Sequence, residues 1–400
     1  MANDWQELPL SEAVLVNPTT SLERGKIYPF VEMSAVSAGT RDVKCSEQRE
    51  FTGGGSKFRD RDTLMARITP CLENGKIARF QAPKGQPIGH GSTEFIVIRG
   101  RPNVSDNDFA YYLTISPEVR HFAISQMTGS SGRQRVPTDA LDAISISLPS
   151  LPEQKAIAAV LGALDDKIEL NRRMNVTLEA MAQTLFKNWF VDAAAGKLPA
   201  GWREGPILEV AKLLSGGTPK TEREDYWGGD ILWASAKDVS QCGQTFLVTT
   251  ERTITKKGLE ESATQLIPAF CTVVVARGAT TGRMTMFGRE IAMNQTCYAL
   301  ASTTGTPFAL YCLFRYVIDD LVQTAHGSVF DTITTSTFAS SKVILPPQRV
   351  FEAFEMTVAP IFALILSNIE ESGRLAGLRD TLLPKLLSGE LSVTELIQPD

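Results

Sequence analysis

The 400-residue chain is poor in the residues that mark several kinds of chemistry. Its six cysteines (Cys45, Cys71, Cys242, Cys271, Cys297, Cys312) stand apart with no CxxC pair. That spacing argues against a disulfide framework or a cysteine zinc site and predicts buried structural thiols in a reducing cytoplasm. Its three histidines, His90, His121 and His326, share no metal-ligand spacing. No uninterrupted apolar run reaches the ~18–20 residues of a membrane span. The opening Met-Ala-Asn-Asp-Trp has no basic region before an apolar stretch, so no secretory leader is expected. Positive charge is not in surplus: 40 Lys and Arg face 45 Asp and Glu, a net charge of -5. A nucleic-acid partner would therefore have to be met by local basic loops.

What the chain does have is a repeat. Trp5-Gln6-Glu7-Leu8-Pro9-Leu10-Ser11-Glu12 is answered 197 residues later by Trp202-Arg203-Glu204-Gly205-Pro206-Ile207-Leu208-Glu209. The same offset relates Leu148-Pro149 to Leu345-Pro346, while Ala66-Arg67 pairs best with Ala276-Arg277 at an offset of 210. The two interiors thus differ by insertions.

A long helical pattern follows each Leu-Pro. The first opens at Pro152-Glu153-Gln154, with proline and an acidic residue in the first turn. It carries Ile157, Leu161, Leu164, Ile168, Asn171, Asn175, Leu178, Ala182, Leu185 and Trp189 at alternating steps of four and three, a heptad seam. Adding 197 gives a second seam: Phe354, Val358, Ile361, Ile365, Asn368, Ser372, Leu375, Arg379, Leu382 and Leu386. Asn171, Asn175, Asn368 and Ser372 form a polar mid-seam that could pair across two helices and fix register. Each helix packing on its own domain is the alternative. Because domain termini tend to lie close together, the second helix is expected to run back along the first, antiparallel. Pro360 should kink it or mark its start. The expected fold is α+β: a first domain at 1–150, a helix at 151–195, a second domain at 196–346, a helix at 347–390 and a tail at 391–400. At about 1.5 Å per residue, the stretch from Ile157 to Trp189 would make a spacer of roughly 48 Å.

Leu148-Pro149-Ser150-Leu151-Pro152-Glu153-Gln154, Asp165-Asp166-Lys167-Ile168-Glu169-Leu170-Asn171 and Leu185-Phe186-Lys187-Asn188-Trp189-Phe190 resemble the first helical region of the specificity subunits of Type I restriction–modification systems. Leu378 to Leu391 resembles the end of their second helical region. Gly216-Gly217-Thr218-Pro219, Tyr226-Trp227-Gly228-Gly229-Asp230-Ile231, Trp233, Ala276-Arg277-Gly278-Ala279-Thr280-Thr281-Gly282 and Asn294-Gln295 are similar to the family's target recognition domains. The Gly-Ser turns at 129–132 and 327–328 belong to the same pattern. The first half departs from it, with Asn17-Pro18-Thr19-Thr20 and Ala66-Arg67-Ile68-Thr69-Pro70 in place of the Gly-Gly-Thr-Pro and Arg-Gly-Ala elements. The resemblance implies that each domain reads half of a bipartite duplex DNA site. It implies that the helices dock two methylation subunits and that restriction subunits join them. S-adenosylmethionine, ATP and Mg would be used by those partners, with no cofactor in this cytoplasmic chain.

An Asn-Pro-Pro-Tyr-like element or a glycine-rich turn for a methyl donor is missing, and Gly53-Gly54-Gly55-Ser56-Lys57 is only half a phosphate loop. A non-catalytic reader is therefore expected, with a structural adaptor that never touches bases as the alternative. Candidate DNA contacts are Lys57, Arg59, Arg61, Lys76, Arg133, Gln134 and Arg135 in the first half. In the second they are Lys220, Arg223, Lys237, Arg277 and Arg283. Arg and Lys bridge phosphates or reach guanine O6 and N7. Arg277 could equally be an internal anchor, matched by Arg67. Trp5 and Trp202 are expected in the core.

Overall fold

The computed structural model describes residues 5–130, 132–326 and 332–394, with the backbone alone at 324–326. Two compact units emerge: Met1–Glu169 with Gly373–Asp400, and Leu170–Ser372. Each long helix therefore lies partly in each unit.

In the first unit the strands are β1 (Gln6–Pro9), β2 (Val14–Val16), β3 (Ile27–Val31), β4 (Asp42–Lys44), β5 (Glu47–Glu50), β6 (Ser56–Arg59), β7 (Thr63–Ala66), β8 (Ile77–Gln81), β9 (Ile88–Gly91), β10 (Phe95–Gly100) and β11 (Ser145–Leu148). They form sheets ordered β1-β11, β2-β10-β7-β8-β4 and β5-β3-β9-β6. β7 and β10 read as unbroken apolar runs because both their faces are covered. Leu64, Phe95 and Val97 turn to one core with Phe58 and Phe80. The intervening Met65, Ile96 and Ile98 turn to another with Phe109 and Tyr112 from the helix Asn107–Ile115.

The second unit repeats this plan. Its strands are β12 (Arg203–Gly205), β13 (Ala211–Ser215), β14 (Trp227–Ala234), β15 (Phe246–Leu247), β16 (Arg252–Ile254), β17 (Leu266–Ile267), β18 (Thr272–Val275), β19 (Met284–Phe287), β20 (Ile291–Met293), β21 (Cys297–Ser302) and β22 (Val343–Leu345). Their orders, β12-β22, β13-β21-β18-β19-β15 and β16-β14-β20-β17, match the first unit strand for strand. The parallel pairing of Phe30 with His90 recurs as Trp233 with Ala292. The 197-residue echo is thus a repeat of a whole fold. The repeated tryptophans sit half-buried at its seams: Trp5 Nε1 donates to Glu153 Oε2 at 3.1 Å, and Trp202 packs on Phe190.

The long helices run Leu151–Phe186 and Gln348–Leu387, the first continuing as a π-helical turn, Lys187–Val191. The second passes through Pro360 without a break, so that proline does not mark its start. In the second unit Asn368 Nδ2 donates to Asn175 Oδ1 at 2.9 Å, and Asn171 Nδ2 lies 3.3 Å from Ser372 Oγ and 2.8 Å from Glu371 Oε2. Contacts descend one helix as they climb the other, so the pairing is antiparallel. In the first unit Asp165 meets Arg379.

The seam itself drifts from strict heptads. At five places the buried residue is Asp165, Phe186, Phe190, Phe362 or Leu383, each one position beyond Leu164, Leu185, Trp189, Ile361 and Leu382, while Leu161, Ala182, Val358, Ile365 and Leu386 stay buried on the heptad. These helices pack on lobes as well as on each other, and a lobe-facing stripe follows 3.6 residues per turn. The second helix is also, by length and composition, apolar enough to cross a membrane. Counting uninterrupted apolar residues passed it over because Glu352 and Glu355 interrupt it. Its buried Phe351, Phe354, Val358, Phe362, Ile365 and Ile369 belong to the second unit's core.

Of the cysteines, Cys271, Cys297 and Cys312 are buried and Cys45, Cys71 and Cys242 only partly so. All six are free thiols. Among the described residues no group of three His, Cys, Asp or Glu could hold a metal ion.

Candidate nucleic-acid interface

In the first unit, two sequence-distant segments are drawn together. Thr128 and Arg135 pair across the glycine turn, and Arg135 also bridges to Ile68. Gly129 takes φ +127°, a region side chains avoid. Gln134 O accepts from Thr69 N at 3.0 Å and Val136 N donates to Arg67 O at 2.8 Å. Arg67 itself turns inward, Nη2 donating to Val136 O, so it is an anchor.

Arg135 makes a forked ion pair with Glu94, 2.7–3.0 Å. The Arg135 guanidinium holds the Glu94 carboxyl below its ordinary range. Gln134 is half-buried. Arg133 projects from the turn, exposed and without a carboxylate partner among the described residues. Ser131 lies outside the described residues.

The same lobe has a cleft of about 540 Å³ lined by Phe30, Glu32, Arg49, Thr52, Gly55, His90 and Thr93, among others. Gly55 is required there, because a Cβ would lie 2.3 Å from Gly91 O. Gly53 to Lys57 leads into β6 and not into a helix, so it is no phosphate cradle. Lys57 lies over the Phe51 ring, and burial pushes the His90 imidazole down, favouring its neutral form.

Other candidates are held by their own lobe. Lys76 Nζ donates to Met33 O at 2.9 Å. Arg61, at φ +68°, is fixed by Asp108, and Asn107 Nδ2 donates to its carbonyl. Arg59 is exposed on β6, away from the glycine turn in sequence and sheet.

In the second unit the loop between β18 and β19 carries Arg277 and Arg283, both exposed. Arg277 bridges to Thr332 and Ala276 O accepts from Ile333 N, repeating the junction at Arg67 and Val136. The neighbouring turn, 327–331, lies outside the described residues. Gly217 N donates to Met293 O, and Thr218 Oγ1 to Gln295 Oε1 at 2.6 Å. The Gly-Gly-Thr-Pro and Asn-Gln elements are therefore one surface.

Lys220 is exposed. Arg223 pairs with Asp225 while lying over Tyr226, and Lys237 pairs with Glu251 at 2.6 Å. The Arg223 guanidinium and then Lys257 hold the Asp225 carboxyl far below its usual range.

Two features of these lobes match known proteins. The family described as the Type I restriction modification DNA specificity domain matches residues 72–180 and 199–350, more than half of the chain and once per repeat. The chain belongs to this family. It is 25% identical over 379 residues to the Type I restriction enzyme HindI specificity subunit of Haemophilus influenzae, spanning 75% of this chain and 81% of that one. It is 26% identical to the MjaIX specificity subunit of Methanocaldococcus jannaschii, over 72% and 70% of the two chains. The fold is similar to the crystal structure of a Type I S subunit from M. genitalium, with a TM-score of 0.58, 15% identity and 96% of each chain covered.

Against this family frame, two arginines passed over in the sequence stand out. Arg49 on β5 stacks on Phe30 of β3, 3.6 Å from the ring centroid, and ion-pairs with Glu32. On the corresponding strand pair, though not at the corresponding position, Arg252 on β16 stacks on Trp227 of β14 at 3.4 Å, exposed and with no carboxylate partner among the described residues. Stacking fixes a guanidinium plane while leaving its N–H edge open, a good base- or phosphate-reading geometry.

Proposed function

We propose that this chain is the DNA-recognition subunit of a Type I restriction–modification complex and that each lobe reads one half of a bipartite duplex site. The observation that carries the reading is the duplication itself. One fold appears twice with identical sheet order, each copy seated on an antiparallel helix pair, while the side chains offered by corresponding loops differ. Two equal scaffolds with unequal loops suit an asymmetric target.

The base-reading set we propose is Arg133, Gln134 and Arg49 in the first lobe, with Arg252, Arg277, Arg283 and Lys220 in the second. Arg61, Lys76, Arg223 and Lys237 are assigned structural duties instead. Methylation subunits would supply methyl transfer and flip the target base, and restriction subunits would cleave, all in the cytoplasm. Exposed apolar side chains on the long helices, Leu170, Val176, Met181, Met356 and Leu364, support partner docking there.

The test is methylome sequencing of cells expressing the chain with its methylation subunits. A bipartite motif is expected, and absence of any motif would reject the reading in favour of an adaptor. Arg133→Ala and Arg252→Ala should each relax one half-site only, at about 1–3 kcal/mol per base contact. Inserting four residues between Asn175 and Leu185 should change the accepted half-site separation or abolish binding, and because this stretch carries Ala182 into the second lobe's core it should destabilise that lobe and spare the first.

A further inference from the structure

Both lobes bind the first long helix through a tyrosine hydroxyl. Tyr112 and Tyr311 lie on the helices that follow the equivalent strands β10 and β21, as the sixth residue of Asn107–Ile115 and the fifth of Pro307–His326. Tyr112 Oη donates to Asp165 Oδ2 at 2.7 Å, and Asp165 also takes Arg379 Nη1 at 2.6 Å. Tyr311 Oη donates to Glu179 Oε1 at 2.7 Å, and Glu179 Oε2 accepts from Thr245 Oγ1 at 2.6 Å.

Strict repeat symmetry would place the second acceptor on the second helix, at Phe362, 197 residues after Asp165. That position is instead a buried ring packed against Tyr311, 5.5 Å centroid to centroid. The second lobe's hydroxyl is thus bound to the first helix at Glu179, while its ring packs on Phe362 of the second. Burial and the neighbouring carboxylate push both phenols far up, so both remain donors.

The first lobe adds a further tie. Arg41 donates from Nη1 to Gly162 O at 3.1 Å and meets Asp166 Oδ1 at 2.5 Å. Gly162 is a mid-helix glycine, and a Cβ there would stand 3.4 Å from Arg41 Nη1. Behind Arg41, an alternating chain of Asp42, Arg79, Asp108 and Arg61 carries the tie back to the turn between β6 and β7.

We infer that Asp165 and Glu179 are positioning residues that set each lobe's angle about the first helix, and so the half-site separation the subunit accepts. Hydrogen bonds to a carboxylate are short and directional. A buried directional bond adds a fixed point to the close packing around it. A lobe held by one buried, charge-assisted bond at a fixed point of a helix has a fixed azimuth, and one base pair of altered separation rotates a half-site by about a tenth of a duplex turn.

This inference rests on the bipartite reading above. The experiment uses the chain assembled with its methylation subunits. It measures methylation of duplexes carrying both half-sites at the preferred separation and at one base pair more or less.

With Tyr311→Phe or Tyr112→Phe, which keep the ring and delete the hydroxyl, the preference for the best separation over its neighbours should fall about tenfold. Preference within each half-site should be unchanged. Phe362→Leu, which weakens packing but spares the hydroxyl pair, should lower the thermal midpoint and leave the separation profile intact. An unaltered profile in both tyrosine variants overturns the inference. So does a profile that Phe362→Leu broadens equally. If the unmodified complex shows no preference for separation at all, the bipartite reading is the part that has failed.

Discussion

Removing one partner of the Asp165–Arg379 pair should be far more damaging than removing both. Asp165 is 4% exposed and Arg379 6%, and both lie in the first unit. Asp165→Leu leaves a buried guanidinium with only the outer Asp380 and leaves the Tyr112 hydroxyl without its acceptor. Breaking a buried pair by one partner costs about 3–5 kcal/mol, and the residual Asp380 contact favours the lower end. Arg379→Met strands the carboxylate instead and should cost about as much.

In the double variant no buried charge is left over. Only the Tyr112 hydroxyl is orphaned, at about 1–3 kcal/mol, so the two changes should couple by about 3 kcal/mol or more, well beyond additive behaviour. For domains of roughly 150–250 residues each kcal/mol moves the midpoint by about 2–4 °C. The single variants should therefore lower the first unit's transition by about 6–20 °C, with most of the loss recovered in the double. Calorimetry with urea titration of all four proteins gives the cycle. A double variant as unstable as the sum of the singles would refute the argument, because it would mean the charges are not what constrains each other.

Further expectations are of smaller reach. Asn368→Leu removes the donor to Asn175 and should cost about 1–3 kcal/mol, read by urea unfolding of the second unit. Burial raises the Glu355 carboxyl above its ordinary 4.5, although it accepts from Phe308 N and Ala309 N. The folded state then binds the proton more tightly than the unfolded. Wild-type stability relative to Glu355→Gln should decline as pH rises from about 4.5 through the raised value, then level; a flat difference across that range would contradict it. Burial pushes the Cys271 and Cys297 thiols up to about 11 and about 12. At pH 8 an alkylating reagent followed by mass spectrometry should mark Cys45 and Cys71 in the native chain and spare Cys271, Cys297 and Cys312.

The repeat and the paired helices were legible in the sequence because both are periodic: an offset of 197 needs no structure to see, and a four–three spacing sustained over ten positions marks a helical seam. The residues that set the helices on their lobes were not. Asp165 lies one place off the heptad and meets Arg379, 214 residues away. Glu179 faces a tyrosine 132 residues downstream. The loop charges divided on similar grounds. Arg133 stands exposed, as expected of a side chain in a glycine turn. Arg61 looked equally free until folding brought Asp108 to it. Arg49 and Arg252 were hidden because their signal is a cross-strand aromatic neighbour, and strand pairing is not written locally.

The ribbons β1–β11 and β12–β22 carry one last implication. Each joins the first and last strands of a lobe, so the chain enters and leaves it side by side, within the ~5 Å spacing of paired strands. A lobe closed in that way is joined to the rest of the chain through neighbouring ends, so a replacement needs the same ribbon and the same apolar face toward the helices.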